Sequence, residues 1–140
     1  RFGLPYRNTP VAISGYYKYQ PGAKFTDKTN TVLENARDTF DIYAVMYEST
    51  TETPFLDGTN IKTHPSIVMI AQLKERKPTD AWTHFSMTFE PVAGRTLDPE
   101  KLRKGQYNLA IVMSSSQGGA FFRGAVGSTL WVDELQLFHE

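Results

Sequence analysis

Apolar residues recur along this chain at every second position in short runs bounded by glycine, proline and polar clusters, a spacing that predicts brief strands joined by turns. In VAISGYYKY, Val11, Ile13, Gly15, Tyr17 and Tyr19 share one face and Tyr16 and Lys18 the other; Pro21 and Gly22 then mark a turn, and Phe25 starts a further extended piece. FDIYAVMYE is apolar on both faces, with Phe40, Ile42, Ala44 and Met46 on one side and Tyr43, Val45 and Tyr47 on the other, as expected of a central strand covered twice. A polar link containing Pro54, Asp57 and Gly58 leads to SIVMIAQL, again apolar on both faces. WTHFSMTFEP alternates cleanly, with Phe85, Met87 and Phe89 inward and Trp82, His84 and Ser86 opposite.

Helix signals are confined to residues 98–104, where Asp98 is placed to cap, Pro99 to start, Lys101, Arg103 and Lys104 to follow and Gly105 to stop about two turns of helix. In YNLAIVMSSS, Leu109, Ile111 and Met113 are expected inward. The last run, GSTLWVDELQLFHE, changes phase midway: Leu130 and Val132 alternate in one register and Leu135 and Leu137 in the other. Both pairs reach one core only if an extra residue is taken up at Asp133 and Glu134, so a β-bulge is expected there. The fold class is therefore all-β with one short helix.

A length of 140 residues suits a single domain with one core. Fifteen acidic and fifteen basic residues give zero formal charge, which argues against nucleic acid or an anionic membrane as partner. Cysteine is absent, so disulfides, thiolate metal sites and cysteine nucleophiles are excluded. There is no apolar run near twenty residues to insert in a membrane, and the start at Arg1 without a signal peptide suggests a processed piece.

The ending GSTLWVDEL resembles terminal strands of jelly-roll carbohydrate-binding modules. GYYKYQPG followed by FTD, then DIYAVMYE, LDGTNI, SIVMIAQL, Trp82 and SSSQGGAFFRGAVGSTLWVDEL together resemble, over nearly the whole chain, the putative carbohydrate metabolism domain family of gut-bacterial surface lipoproteins. The resemblance implies a jelly-roll β-sandwich over residues 1–140, forming the C-terminal part of a longer exported protein behind an immunoglobulin-like domain. It also implies an extracellular or outer-membrane surface location and a role in glycan binding or processing. Fold analogy does not supply chemistry by itself.

A sugar-binding site needs flat rings for the C–H faces of a pyranose beside amides, carboxylates or guanidinium groups for its hydroxyls. Candidates of that kind are Tyr16 with Lys18, Asp41 with Tyr43, Trp82 with His84, and Gln117 with Arg123 in the late loop; taken singly, each ring is more often found filling the core or its rim. Arg123, beside Gly118 and Gly119, could hold a hydroxyl or pair with Asp133 or Glu134. Asp133 could bind calcium together with backbone carbonyls near the chain's start, or simply stabilise the bulge.

No catalytic residue is assigned. Carboxylate pairs for hydrolysis could be drawn from Asp41, Glu48, Asp57, Asp133 and Glu134, yet the sequence does not place two of them facing one cleft. Ser114 to Ser116 lack a GxSxG elbow, and His64, His84 and His139 are too dispersed for a metal motif. The leading expectation is a non-catalytic carbohydrate-binding module whose partner is a glycan. The alternatives are a structural or adhesive domain without a sugar site, and a glycoside hydrolase.

Overall fold

The computed structural model describes residues 1–26, 29, 32, 38–118 and 124–140. The strands are β1 (Leu4–Pro5), β2 (Pro10–Gln20), β3 (Phe25–Thr26), β4 (Asp41–Glu48), β5 (Ile67–Gln72) and β6 (Thr79–Thr88). After β7 (Glu90–Pro91) come helix α1 (Pro99–Arg103), β8 (Tyr107–Ser114), β9 (Gly124–Ala125) and β10 (Thr129–His139). The expected all-β class with one short helix is what the chain forms. Two antiparallel sheets carry most of it, one of five strands in the order β1-β8-β4-β5-β7 and one of three in the order β10-β2-β6; β3 and β9 make a small third pair.

The two larger sheets share an interior because their strands turn alternate residues toward each other. Ile13, Tyr17 and Tyr19 of β2 and Phe85 and Met87 of β6 pack there against Ile42 and Ala44 of β4 and Ala71 of β5. Burying each large side chain of this set contributes about 2 kcal/mol. Val11, which alternation assigns to the same face, is 40% exposed, and Met113, expected inward, is 42% exposed. Both stand close to strand ends, where alternation fixes the face but not the reach of the opposing sheet.

β4 is covered twice, as its two apolar faces require. Its second face, bearing Tyr43, Val45 and Tyr47, lies against Leu56 and Ile61, which are 1% and 2% exposed. The polar link of residues 49–66 is thus a lid over the outer side of the five-stranded sheet, anchored by two apolar residues. Its backbone is tied in where the Phe2 N–H donates to the Leu56 carbonyl at 2.9 Å. Beneath it, the Tyr47 hydroxyl donates to the Phe2 carbonyl and accepts from Asn108 Nδ2 at 3.2 Å.

Helix α1 is five residues, shorter than the two turns expected: Asp98 Oδ1 accepts from the Glu100 and Lys101 N–H groups at 2.9 and 3.4 Å, and Gly105, at φ +71°, turns the chain out. The expected bulge is present. Asp133 pairs with Tyr16 and Gln136 with Ser14, so Glu134 and Leu135 together face Gly15 alone. Glu134 takes up the extra residue at φ +52°, a left-handed conformation that costs a non-glycine residue about 1 kcal/mol. Leu137 returns to the interior beside Leu130 and Val132, whereas Leu135 stays 39% exposed.

Candidate functional site

The outer face of the three-stranded sheet is built in rows. With Ile13, Gly15, Tyr17 and Tyr19 inward, β2 turns Ala12, Ser14, Tyr16 and Lys18 outward, and antiparallel pairing sets residues of β10 and β6 on either side. Lys18 pairs with Trp131, and its ammonium stands 4.6 Å from the ring centroid of Trp82 and 5.5 Å from that of Trp131. This is a cation held between two indole rings, each such contact contributing about 0.5–1 kcal/mol at an exposed position. The next row is Asp133, Tyr16 and His84, with the Tyr16 and His84 rings edge to face at a centroid distance of 5.2 Å.

These rings are open to solvent: Trp82 is 48%, Trp131 42% and Tyr16 37% exposed. The bulge aims the acidic pair at them. Asp133 Oδ1 accepts the Glu134 N–H at 2.8 Å, and both residues line a shallow cleft of about 200 Å³ with Tyr16 and Trp82. Gly15 permits the close strand approach beneath, since a Cβ there would sit 3.0 Å from the Phe85 ring and 3.2 Å from the Asp133 carbonyl. Among the described residues no three or more His, Cys, Asp or Glu side chains gather to hold a metal ion. A calcium at Asp133 would rest on two carboxylates and backbone carbonyls, and the chain's first strand lies in the other sheet, paired with β8.

Asp41, Tyr43 and Gln117 form a separate group on the opposite side of the sandwich. Asp41 is 2% exposed and accepts from Lys62 Nζ, from Gln72 Nε2 at 3.2 Å and from Arg76 Nη1 at 3.5 Å. Arg76 donates in turn to Gln117 Oε1. Tyr43 is 6% exposed, with the Lys62 ammonium 4.4 Å from its ring centroid, so its burial leaves the ring closed to a sugar. Burial, with the Asp41 charge adding to it, pushes the Tyr43 hydroxyl up to about 12. The group is an ion-paired buried carboxylate, whose partners are held by it, rather than an open platform.

A buried carboxylate also fastens the loop end near Gln117. Asp38 accepts from the Thr39 and Ala125 N–H groups, each at 3.0 Å, and from the Ser128 and Ser116 hydroxyls. Arg123 and Gly119 lie outside the described residues. Of the carboxylates weighed for hydrolysis, Asp133 and Glu134 share the shallow cleft and the others lie apart: Glu48 pairs with Lys101 at 2.9 Å, and Asp57 accepts from Thr59, which holds its carboxyl below its usual range. A larger cleft, about 930 Å³, opens between the free edge of β6 and β5 with β7, with Glu75 and Glu90 among its lining residues.

Trp131, Lys62, Arg76, Glu75 and Glu90 were not singled out by the sequence pattern. Trp131 was readable, because it stands between the inward Leu130 and Val132 and must point away from them. The other four lie on irregular segments or at the margins of short strands, where no period applies.

The molecule is thus an antiparallel β-sandwich domain with one sheet face left open and lined by rings, among acidic and basic side chains. The chain belongs to the putative carbohydrate metabolism domain family, whose model matches residues 1–138. It is similar to a crystal structure described as a putative glycoside hydrolase from Bacteroides thetaiotaomicron VPI-5482, at 47% identity and a TM-score of 0.96. That match covers 99% of this chain and 40% of the other. A protein of the same description from Bacteroides vulgatus ATCC 8482 matches at 38% identity and a TM-score of 0.90, over 99% of this chain and 56% of that one. The chain therefore spans only about half, or less, of these solved neighbours. No curated protein matches it. Among the described residues no helix is long and apolar enough to cross a membrane.

Proposed function

We propose that the domain is a non-catalytic carbohydrate-binding module that holds a glycan on the outer face of the three-stranded sheet. The observation that carries this reading is the row of Trp131, Lys18 and Trp82, with Tyr16 and the acidic pair beside it, exposed on an otherwise regular sheet. The rings offer flat faces for sugar C–H groups, while Lys18 can donate to hydroxyls and Asp133 and Glu134 can accept from them. Membership of a carbohydrate-metabolism family supports the ligand class. In a longer exported protein, behind an immunoglobulin-like domain, such a module would keep a glycan at the cell surface.

Affinity electrophoresis through gels containing soluble polysaccharides tests the reading. The wild-type chain is retarded by at least one polysaccharide, and Trp82→Ala or Trp131→Ala weakens that binding about tenfold, as expected for the loss of an anchoring aromatic. Unchanged mobility of the wild type across a broad panel contradicts the reading.

The second reading is glycoside hydrolysis, favoured by the description of the solved neighbours and by the 930 Å³ cleft with Glu75 and Glu90 in its lining. Release of reducing sugar by the purified domain, abolished by Glu75→Gln or Glu90→Gln, would establish it. Retardation without sugar release favours binding alone.

A further inference from the structure

We propose that the ligand is an uncharged, linear glycan of about four sugar units lying along β2, from the Trp82 and Trp131 row to Phe138. This deepens the binding reading and rests on it. Beyond the Tyr16 row the outer face continues for two more: Gln136, Ser14 and Ser86, then Phe138, Ala12 and Thr88. From Lys18 to Ala12 the strand rises about 20 Å at roughly 3.3 Å per residue, long enough for a short oligosaccharide and too long for one sugar ring. Past the Tyr16 row the path carries the small side chains of Ser14, Ser86 and Ala12, which form a low floor between the aromatic rows at one end and Phe138 at the other.

The bulge sets both ends. Without the extra residue, continued alternation after Asp133 would send Leu137 outward and Phe138 into the core; with it, Leu137 packs inside and Phe138 is left 46% exposed on the ring-bearing face. A large ring held in water at the end of a small-residue floor is a second stacking surface in line with the first. Charge selects the class of sugar. Asp133 and Glu134 wall the aromatic end, Lys18 stands against the two indoles, and the floor of Ser14, Ser86, Gln136 and Thr88 is uncharged, giving hydroxyl donors and acceptors without a second cation. A carboxylate-bearing glycan would meet more like charge than opposite charge there.

The test is calorimetric titration of the whole domain with gluco-, manno-, xylo- and galacto-oligosaccharides of two, four and six units, and with galacturonic acid oligomers of the same lengths. For the neutral series that binds, affinity rises about tenfold from two units to four and no further at six, as one added stacked ring would give. Phe138→Ala removes that rise and leaves the two-unit affinity within about twofold, while Trp82→Ala weakens every length. Ser14→Trp, which raises the floor, blocks the four-unit gain in the same way. Equal affinity at two and four units, or a length dependence indifferent to both Phe138→Ala and Ser14→Trp, overturns the track while leaving the binding reading intact. Galacturonic acid oligomers binding as well as the neutral series overturn the uncharged class. No binding by any saccharide, together with unchanged mobility in the polysaccharide gels, removes both readings.

Discussion

The two sheets differ most in what lies outside them. The outer face of the five-stranded sheet carries Tyr43, Val45 and Tyr47 and is roofed by residues 49–66 through Leu56 and Ile61; that of the three-stranded sheet carries Tyr16, Trp82 and Trp131, which are exposed, and among the described residues no segment roofs it. Both faces are rich in aromatics on alternating strand positions. The difference teaches that an aromatic on a strand becomes interior or platform according to whether another segment crosses over it, and the strand itself does not decide. Where the roof exists, polar groups are consumed internally, as with Tyr47 bonded to Phe2 and Asn108, and Asp41 to Lys62, Gln72 and Arg76. On the bare face, Lys18 and the acidic pair remain available to a ligand.

The sharpest way to break this contrast is to truncate one ring on each face. Tyr47→Ala is expected to destabilise the domain by about 4 kcal/mol in urea unfolding, because it empties a fully enclosed ring position and leaves Asn108 short of a partner. Asp41→Asn should cost about 2 kcal/mol by the same measurement: it uncouples two cations from a buried carboxylate, but Lys62 and Arg76 are 40% and 23% exposed and turn partly to water.

A smaller effect follows from pH. Tyr43 ionises at about 12 in the folded chain against 10.0 when unperturbed, so the neutral hydroxyl is the form the fold favours. Its contribution to stability is whole below pH 10 and is lost as pH climbs from 10 toward 12. Unfolding midpoints compared across that window should fall less steeply in Tyr43→Phe than in the wild type. The smallest change is expected on the bare face, where Trp82→Ala should shift unfolding free energy by no more than about 1 kcal/mol, the contribution of its contact with Lys18. A loss comparable to that of Tyr47→Ala would mean this ring, too, is structural.

Much of the open face was legible beforehand. Strict alternation around Phe85 and Met87 put Trp82 and His84 outside, the same logic put Tyr16 and Lys18 outside, and the phase break at Asp133 and Glu134 located the bulge. Asp98, Pro99 and Gly105 marked the helix through their own backbone chemistry, although it closed after five residues. What escaped depended on contacts between distant segments. Tyr43 and Asp41 looked like a ring with a polar fork because their burial comes from a link whose anchors, Leu56 and Ile61, are isolated apolar residues without a period. Phe138 could be assigned a face only after the bulge had been counted, since a single inserted residue reverses the parity of everything that follows it.

The chain contains two tryptophans, Trp82 and Trp131, and both lie on the proposed binding face, so intrinsic tryptophan emission reports on the aromatic end of that face. Titrating the domain with a polysaccharide that retards it in a gel should shift or quench this emission, with a midpoint matching the calorimetric affinity. Binding seen by calorimetry with tryptophan emission unchanged through saturation would contradict the assignment of the open sheet face as the site.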